Sequence, residues 1–496
     1  MGRGRRFGWV AAGLVLLLAL APPPIASAAE SVGVVGKILF ANGLPLLAVE
    51  AENGTLLLLD NAPVGTWDGS DVPVDLTALC DLTGDTTKGY NLSEHILFGG
   101  GYEAEVAHTR LTILGGTLNH VYGGGYQGAV TGDSAVYMSG GAVRGNLSAG
   151  GTDAAVTGRA SLALTGGAVG GDGGDFTVSG GGLGDGARAG SAELSIGGDA
   201  VVIATVCGGG AESDAATGST FVSLAGEAEI RGDVFGGGLK SAVTGAASVG
   251  ATGTPTVTGN LSGGSYQADC GSSSVSLQGI TVAGTVRGGG SDGSVAGAVS
   301  LQVLSGAQVG GIVGGCENGA VGGAITLLVD GARSGRVIGG CLSTAAQPTM
   351  LANSITLTLQ DTTLGGDVIG GSLGAHHSGL LKMKLLRCAV AGDVTAGPSG
   401  TAGMELQGSD VLLELEETDV VGSVGIGGNA RLSGDATLLF WSGSAARFDT
   451  PAREAAAGSL IYLEAEPGGG MGNGVALGAQ SALPRNTFVE IGRAHV

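Results

Sequence analysis

Leu97-Phe98-Gly99-Gly100-Gly101, Val121-Tyr122-Gly123-Gly124-Gly125 and Val234-Phe235-Gly236-Gly237-Gly238 spell one phrase: an aliphatic residue, a variable one, then a glycine-centred triplet. Twelve versions occur between residues 96 and 398, the tenth reading Val337-Ile338-Gly339-Gly340-Cys341. Their central glycines are Gly100, Gly124, Gly150, Gly181, Gly209, Gly237, Gly264, Gly289, Gly315, Gly340, Gly371 and Gly397, spaced 24 to 31 residues apart and 27 on average. A repeat of that length marks a stacked architecture, because one such unit cannot bury its own apolar face.

Three residues before each central glycine stands Val, Leu or Ile, from Leu97 through Val234, Leu261 and Val286 to Val394. The residue just before it is mostly polar: Asn146, Thr177, Asp233, Asn260, Thr285, Arg336, Asp367, Asp393. One side chain in and its neighbour out is the period of a strand. About ten residues upstream of each triplet a second segment alternates in the same way. Ser354-Ile355-Thr356-Leu357-Thr358-Leu359 and Leu381-Lys382-Met383-Lys384-Leu385 show it. Glycine pairs such as Gly115-Gly116, Gly140-Gly141 and Gly166-Gly167 break these segments into the next strand. Short strands and tight corners in each repeat describe one coil of a parallel β-helix. The expected fold is therefore all-β, a β-solenoid of about 12–13 coils with β-rich caps, forming a monomeric rod near 60 Å long at about 4.8 Å per coil. The central glycine is expected to serve either a corner with φ > 0 or a backbone approach that a Cβ would block.

The chain opens with Arg3, Arg5 and Arg6, an apolar run from Val10 to Leu20, and Ala26-Ser27-Ala28. That order reads as a secretory signal peptide over residues 1–28. Residues 29–94 read as a less repetitive β-rich cap, 95–428 as the coils, and 429–489 as a further β segment without the triplet. The terminal run 490–496, Glu490-Ile491-Gly492-Arg493-Ala494-His495-Val496, back-translates into a widely used sequencing adapter read in frame. The natural protein is accordingly expected to continue past Val489.

Composition narrows the function. The net charge of −21 repels phosphate backbones and argues against a nucleic-acid partner. Glycine supplies 102 of 496 residues without a three-residue period, which excludes collagen. The part after residue 28 contains no apolar stretch long enough for a transmembrane helix. The expected location is extracellular or at the cell surface.

Candidate sites are few. Gly170-Gly171-Asp172-Gly173-Gly174-Asp175-Phe176-Thr177-Val178 fits most of a calcium-binding nonapeptide, with Asp172 and Asp175 as the metal ligands. Only one copy occurs and Thr177 replaces a large apolar residue, so a glycine-rich bulge is the favoured account. Apart from calcium no cofactor is expected. Asp233, Asp367 and Asp393 share the outward slot with Arg336, where they could bind a cation, act as an acid/base pair, or accept hydrogen bonds from turn amides. The last role is favoured, since Asn146 and Asn260 fill the same slot. Cys316 and Cys341 share the third triplet position in consecutive repeats. A disulfide and a ladder of buried thiols both fit, the ladder being favoured because stacked side chains run parallel. His376-His377 is expected in a solvated loop, and His95, His108 and His120 gather near the first coils. No nucleophile elbow, phosphate loop or Cys-x-x-Cys pair occurs.

Tyr90-Asn91-Leu92-Ser93, then Phe98-Gly99-Gly100-Gly101 and the repeated "GG-x-V…V-Y-G-G-G-Y" phrases, resemble the adhesin-like parallel β-helix (pectin-lyase-like) secreted and surface proteins of gut-dwelling Firmicutes. The likeness covers roughly residues 32 to 430. It implies a surface rod that presents loops to host or bacterial glycans, proteins or neighbouring cells, and it brings no catalytic residues. A β-helical carbohydrate-active enzyme (polysaccharide lyase or hydrolase) and an autotransporter passenger are the alternatives. An acidic cluster beside an Arg or Lys in one groove would favour the enzyme; featureless polar ladders would favour the adhesin.

Overall fold

A computed structural model describes residues 38–59 except Asn53, residue 89, and residues 91–444 with short gaps at 172, 213–214, 346–349, 401–405, 428–429, 434–435 and 442–443. Outside these it gives the backbone of strands at Gly65–Trp67, Val74–Asp75, Ala445–Thr450, Glu454–Ala455, Ser459–Ala465, Ala476–Leu477 and Thr487–Arg493. The expected signal segment 1–28 and Cys80 lie outside the described residues. The fold is all-β, a parallel β-solenoid of about 13 turns. It forms two compact units that divide near residue 250.

In the first unit, the strands Thr109–Ile113, Ser134–Met138, Val156–Leu164, Ala189–Ile196 and Thr220–Leu224 pair in parallel, each with the next. Leu111, Val136, Leu162, Leu194 and Val222 fall in one register column and Ile113, Met138, Leu164, Ile196 and Leu224 in the next, all buried. A second ladder joins Leu97, Val121, Leu147, Val178, Val206 and Val234, each completely buried. Alternation puts every second side chain inside, and a buried Val or Leu contributes about 1.5–3 kcal/mol. At the start of this unit Ile38–Phe40 stacks in parallel on Ile96–Phe98, while Gly65–Trp67 pairs antiparallel with it. Likewise Leu46–Ala51 pairs in parallel with Thr109–Ile113 and antiparallel with Gly54–Leu59. The antiparallel strands occupy an edge that would otherwise offer unpaired amides and carbonyls.

The second unit repeats the plan. Cys270–Gln278, Val299–Leu304, Ile325–Asp330, Ile355–Gln360, Leu381–Leu386, Val411–Glu416 and Ala436–Phe440 pair successively in parallel. The triplet ladder runs from Leu261 through Val286, Ile312, Val337, Val368 and Val394 to Val424, one coil past the last sequence triplet. Parallel pairing continues through Ser459–Ala465 to Thr487–Arg493.

The glycine corner has a definite cause. None of the central glycines has positive φ, so the left-handed alternative is set aside. Close approach explains them instead: a Cβ on Gly124 would lie 2.5 Å from the Gly151 amide nitrogen, and one on Gly150 2.6 Å from that of Gly182. Left-handed backbone occurs after the longer strands, at Gly116, Gly141, Gly167 and Gly198 in the first unit. In the second unit Gly279, Gly306 and Gly331 take it, then Asp361, Arg387 and Glu417. Asp361 and Arg387 stack one coil apart as a bidentate pair, at 2.7 and 2.9 Å.

The residue after the aliphatic position is also buried in every repeat but the last, where Thr395 is half-buried, and alternation alone does not require it. In the first unit Phe40, Phe98 and Tyr122 stack with centroids 5.4 and 4.9 Å apart, and Tyr102 stacks on Tyr126 beside them. In the second unit Val313, Ile338 and Ile369 form the equivalent column, covered by Leu342 and Leu373. The chain leaving each triplet therefore folds back over the short strands as an outer layer. Hydroxyls tie the two ladders together: buried Ser134, Thr220 and Ser273 donate to the carbonyls of Ala149, Gly236 and Gly288 at 2.6, 2.6 and 2.5 Å.

Candidate ligand-binding groove

In several coils the side chain in the outward slot just before the aliphatic residue bonds the next coil. In the first unit the Asn146 amide donates to His120 Nδ1 at 2.9 Å, and the Thr177 amide donates to Asn146 Oδ1 at 2.9 Å. In the second unit Asn260 Oδ1 accepts from the Thr285 amide at 2.9 Å, Asp367 Oδ1 from Asp393 at 3.1 Å, and Asp393 Oδ1 from Ser423 at 2.7 Å. The remaining Asp367 oxygen faces Arg336 at 3.9 Å. These aspartates thus act as amide acceptors, interchangeable with asparagine and histidine, and Asp233 stands half-buried in the same slot of the first unit.

One slot carries no side chain. Among the twelve slot residues, from Ile96 to Asp393, only Gly311 is glycine. Neither backbone nor packing demands it. Its φ is not positive, and a Cβ there would meet only the Arg336 carbonyl oxygen at 3.4 Å and Thr285 Oγ1 at 3.7 Å, ordinary contact distances. Parallel register sets Thr285 beside Gly311 on one side and Arg336 on the other. The gap opens into a groove of about 380 Å³ whose lining includes Thr285, Arg287, Glu317, Arg336 and Asp367. Val313, Ile338 and Leu342 form its apolar wall.

Arg287 is the unusual member. It falls in the column Arg287–Val313–Ile338, the only charged residue among the twelve that follow the aliphatic position. It is 8% exposed, pairs through Nη2 with Glu317 in the outer layer, and leaves its buried Nε without a hydrogen-bond partner. A buried guanidinium with a donor to spare is costly unless a further acceptor meets it. Sequence reasoning singled out neither Arg287 nor Gly311. Each is nevertheless the exception in an otherwise regular column, and a position-by-position alignment of the coils would have exposed both.

The other candidate residues are placed as follows. Asp172 lies outside the described residues, and Asp175 is exposed in the loop before Thr177. A Cβ at Gly171 or Gly173 would meet nothing within 4 Å, so this loop projects from the coil. No group of three or more His, Cys, Asp or Glu suited to a metal occurs among the described residues. Cys316 and Cys341 are free and buried: the Gly290 amide donates to Cys316 Sγ and the Cys316 amide to Cys341 Sγ, each at 3.4 Å. Burial pushes the Cys316 thiol up to about 11 and that of Cys341 higher still. Cys207, Cys270 and Cys388 are also free and buried.

The histidine pair departs from expectation. His376–His377 is a two-residue strand paired with Met350–Ala352, and His377 is 1% exposed. Strand alternation sends adjacent side chains to opposite faces, so one histidine turns inward. Neither ring nitrogen of His377 has a hydrogen-bond partner, and burial, with His376 beside it, lowers its pKa to about 4. Near the first coils, His108 and His120 each accept an amide hydrogen bond from the following coil and form no shared centre.

Set against known proteins, the chain matches no family model, no curated protein and no solved structure. No helix among the described residues is long and apolar enough to cross a membrane.

Proposed function

We propose that this chain is an exported or cell-surface β-solenoid of the adhesin-like kind, whose outer face recognises glycans or proteins on host or bacterial surfaces. The observation that carries this reading is the groove opened at Gly311, the one slot without a side chain, where polar groups face a cleft. The basic, apolar and small-residue order of residues 1–28 supports export, and the acidity supports solubility outside a cell. The use of Asp367 and Asp393 as amide acceptors favours binding over chemistry at that slot. Surface labelling of intact producing cells, followed by binding of the purified full chain to immobilised glycans and surface proteins, tests the proposal. Confinement of the chain to the cytoplasm, or no binding to either class, would overturn it.

A carbohydrate-active enzyme is the second reading. It is favoured by the two carboxylates and two arginines that line one groove, Glu317 with Arg287 and Asp367 with Arg336. Release of reducing or unsaturated ends from a polysaccharide, abolished by Glu317→Gln, is the result that reading requires.

A further inference from the structure

We propose that the groove at Gly311 is the binding site for a neutral, polyhydroxylated sugar unit, an inference that rests on the recognition reading above and names its ligand. The site is built from three consecutive coils. Its middle coil supplies the floor, Gly311, a glycine that neither left-handed backbone nor crowding requires. The flanking coils supply a hydroxyl from Thr285 and a guanidinium from Arg336, and the outer layer supplies Glu317.

The charges select the ligand class. Two arginines and two carboxylates line the groove, and each arginine already faces a carboxylate. An anionic sugar would bring a third carboxylate beside Glu317 and Asp367 on a chain of net charge −21. A cationic ligand would meet Arg287 and Arg336. A neutral polyol adds no charge. Its hydroxyls both donate and accept, so they can accept from the lining arginines and donate to the carboxylates. Val313, Ile338 and Leu342 offer an apolar wall to the C–H face of a pyranose. A volume of about 380 Å³ is near the lower end of the usual range for ligand pockets, which suits one or two sugar units.

The test compares the full chain with its Gly311→Thr variant on an array of neutral and uronate-containing oligosaccharides. Threonine already occupies this slot as Thr177, Thr205 and Thr285, so the variant places a side chain native to the column and should fold with an unchanged circular-dichroism spectrum and melting point. Expected are binding to neutral glycans, a loss of at least tenfold in Gly311→Thr, a similar loss in Arg336→Gln, and affinity unchanged between 0.05 and 0.5 M NaCl. Preference for uronates with strong salt dependence overturns the ligand class. Neutral-glycan binding that survives both substitutions places the site elsewhere and overturns this inference, while the recognition role stands. Binding to surface proteins with no glycan binding gives the same separation.

Discussion

A graded set of glycine-to-alanine substitutions in the first unit tests whether coil stacking, and not corner conformation, selects the central glycine. At Gly150 a new Cβ would lie 2.6 Å from the Gly182 nitrogen and 2.7 Å from two more backbone atoms of the following coil. At Gly209 the three nearest atoms stand at 3.1, 3.1 and 3.4 Å, and at Gly171 nothing lies within 4 Å. None of the three has positive φ, so left-handed strain is absent from the comparison. Alanine at Gly150 must push the coils apart locally by several tenths of an ångström. The bond from the Gly150 amide to the Gly181 carbonyl, 3.1 Å long, then stretches toward the limit of a useful hydrogen bond. Overpacking costs about 1–3 kcal/mol and a weakened bond about 0.5–1.5, offset by about 0.4–1 from reduced freedom of the unfolded chain. Gly150→Ala should therefore destabilise by about 1–3 kcal/mol, Gly209→Ala by less than about 1, and Gly171→Ala should be neutral or slightly stabilising. For a unit of this size each kcal/mol moves the melting point by about 2–4 °C. Thermal and denaturant unfolding followed by far-ultraviolet circular dichroism reads the order directly. Equal shifts in all three variants, or a larger loss at Gly171 than at Gly150, would refute the close-approach account.

Other consequences follow from single contacts. Asp393→Asn should leave stability unchanged, because an amide oxygen can accept from the Ser423 backbone as Asn260 does from Thr285, whereas Asp393→Ala should lose about 0.5–1.5 kcal/mol in denaturant titration. Phe98→Ala empties a site stacked between Phe40 and Tyr122 at 1% exposure and should cost about 3–5 kcal/mol by the same measurement. Above pH 6.5 His377 is neutral in both folded and unfolded chains. Between there and its folded value of about 4 only the unfolded chain takes up the proton, so acidification should remove about 3 kcal/mol. Replacing it in His377→Leu should flatten that part of the stability–pH profile, and an unaltered slope would discard the assignment. The five described cysteines should resist alkylation at pH 8 in the folded chain and react together once it is denatured, because burial both shields the thiols and disfavours thiolate.

The architecture was legible because a solenoid writes its register into a period. The aliphatic position, the alternating segment and the glycine pair each recur at fixed offsets, and each became a column in the folded chain. What periodicity hides is the second layer. Phe98, Tyr122, Val313 and Ile338 follow the inward residue and so read as outward-facing, yet the chain leaving the triplet returns to cover them. Strand alternation says which face a side chain takes, and it cannot say whether that face meets water. The same limit misplaced His377, whose inward turn depends on a short strand pairing that no repeat announces.

The central glycine shows how a shared sequence feature can conceal its cause. Left-handed conformation and close approach both select glycine, and the chain contains glycines of both kinds. Substitution within the repeat itself separates them. The left-handed position is filled by Asp361, Arg387 and Glu417 in the later coils, so it takes a side chain at the cost of backbone strain. The central triplet position accepts nothing else in twelve repeats, since its Cβ would meet backbone that also carries the inter-coil hydrogen bonds. Gly311 belongs to neither kind, and that is why its missing side chain points to a ligand. Crowding or left-handed backbone accounts for most corner glycines, Gly197 and Gly365 outside the strands being exceptions; a glycine in mid-strand with room for a methyl group marks a space that the fold itself has no reason to keep open.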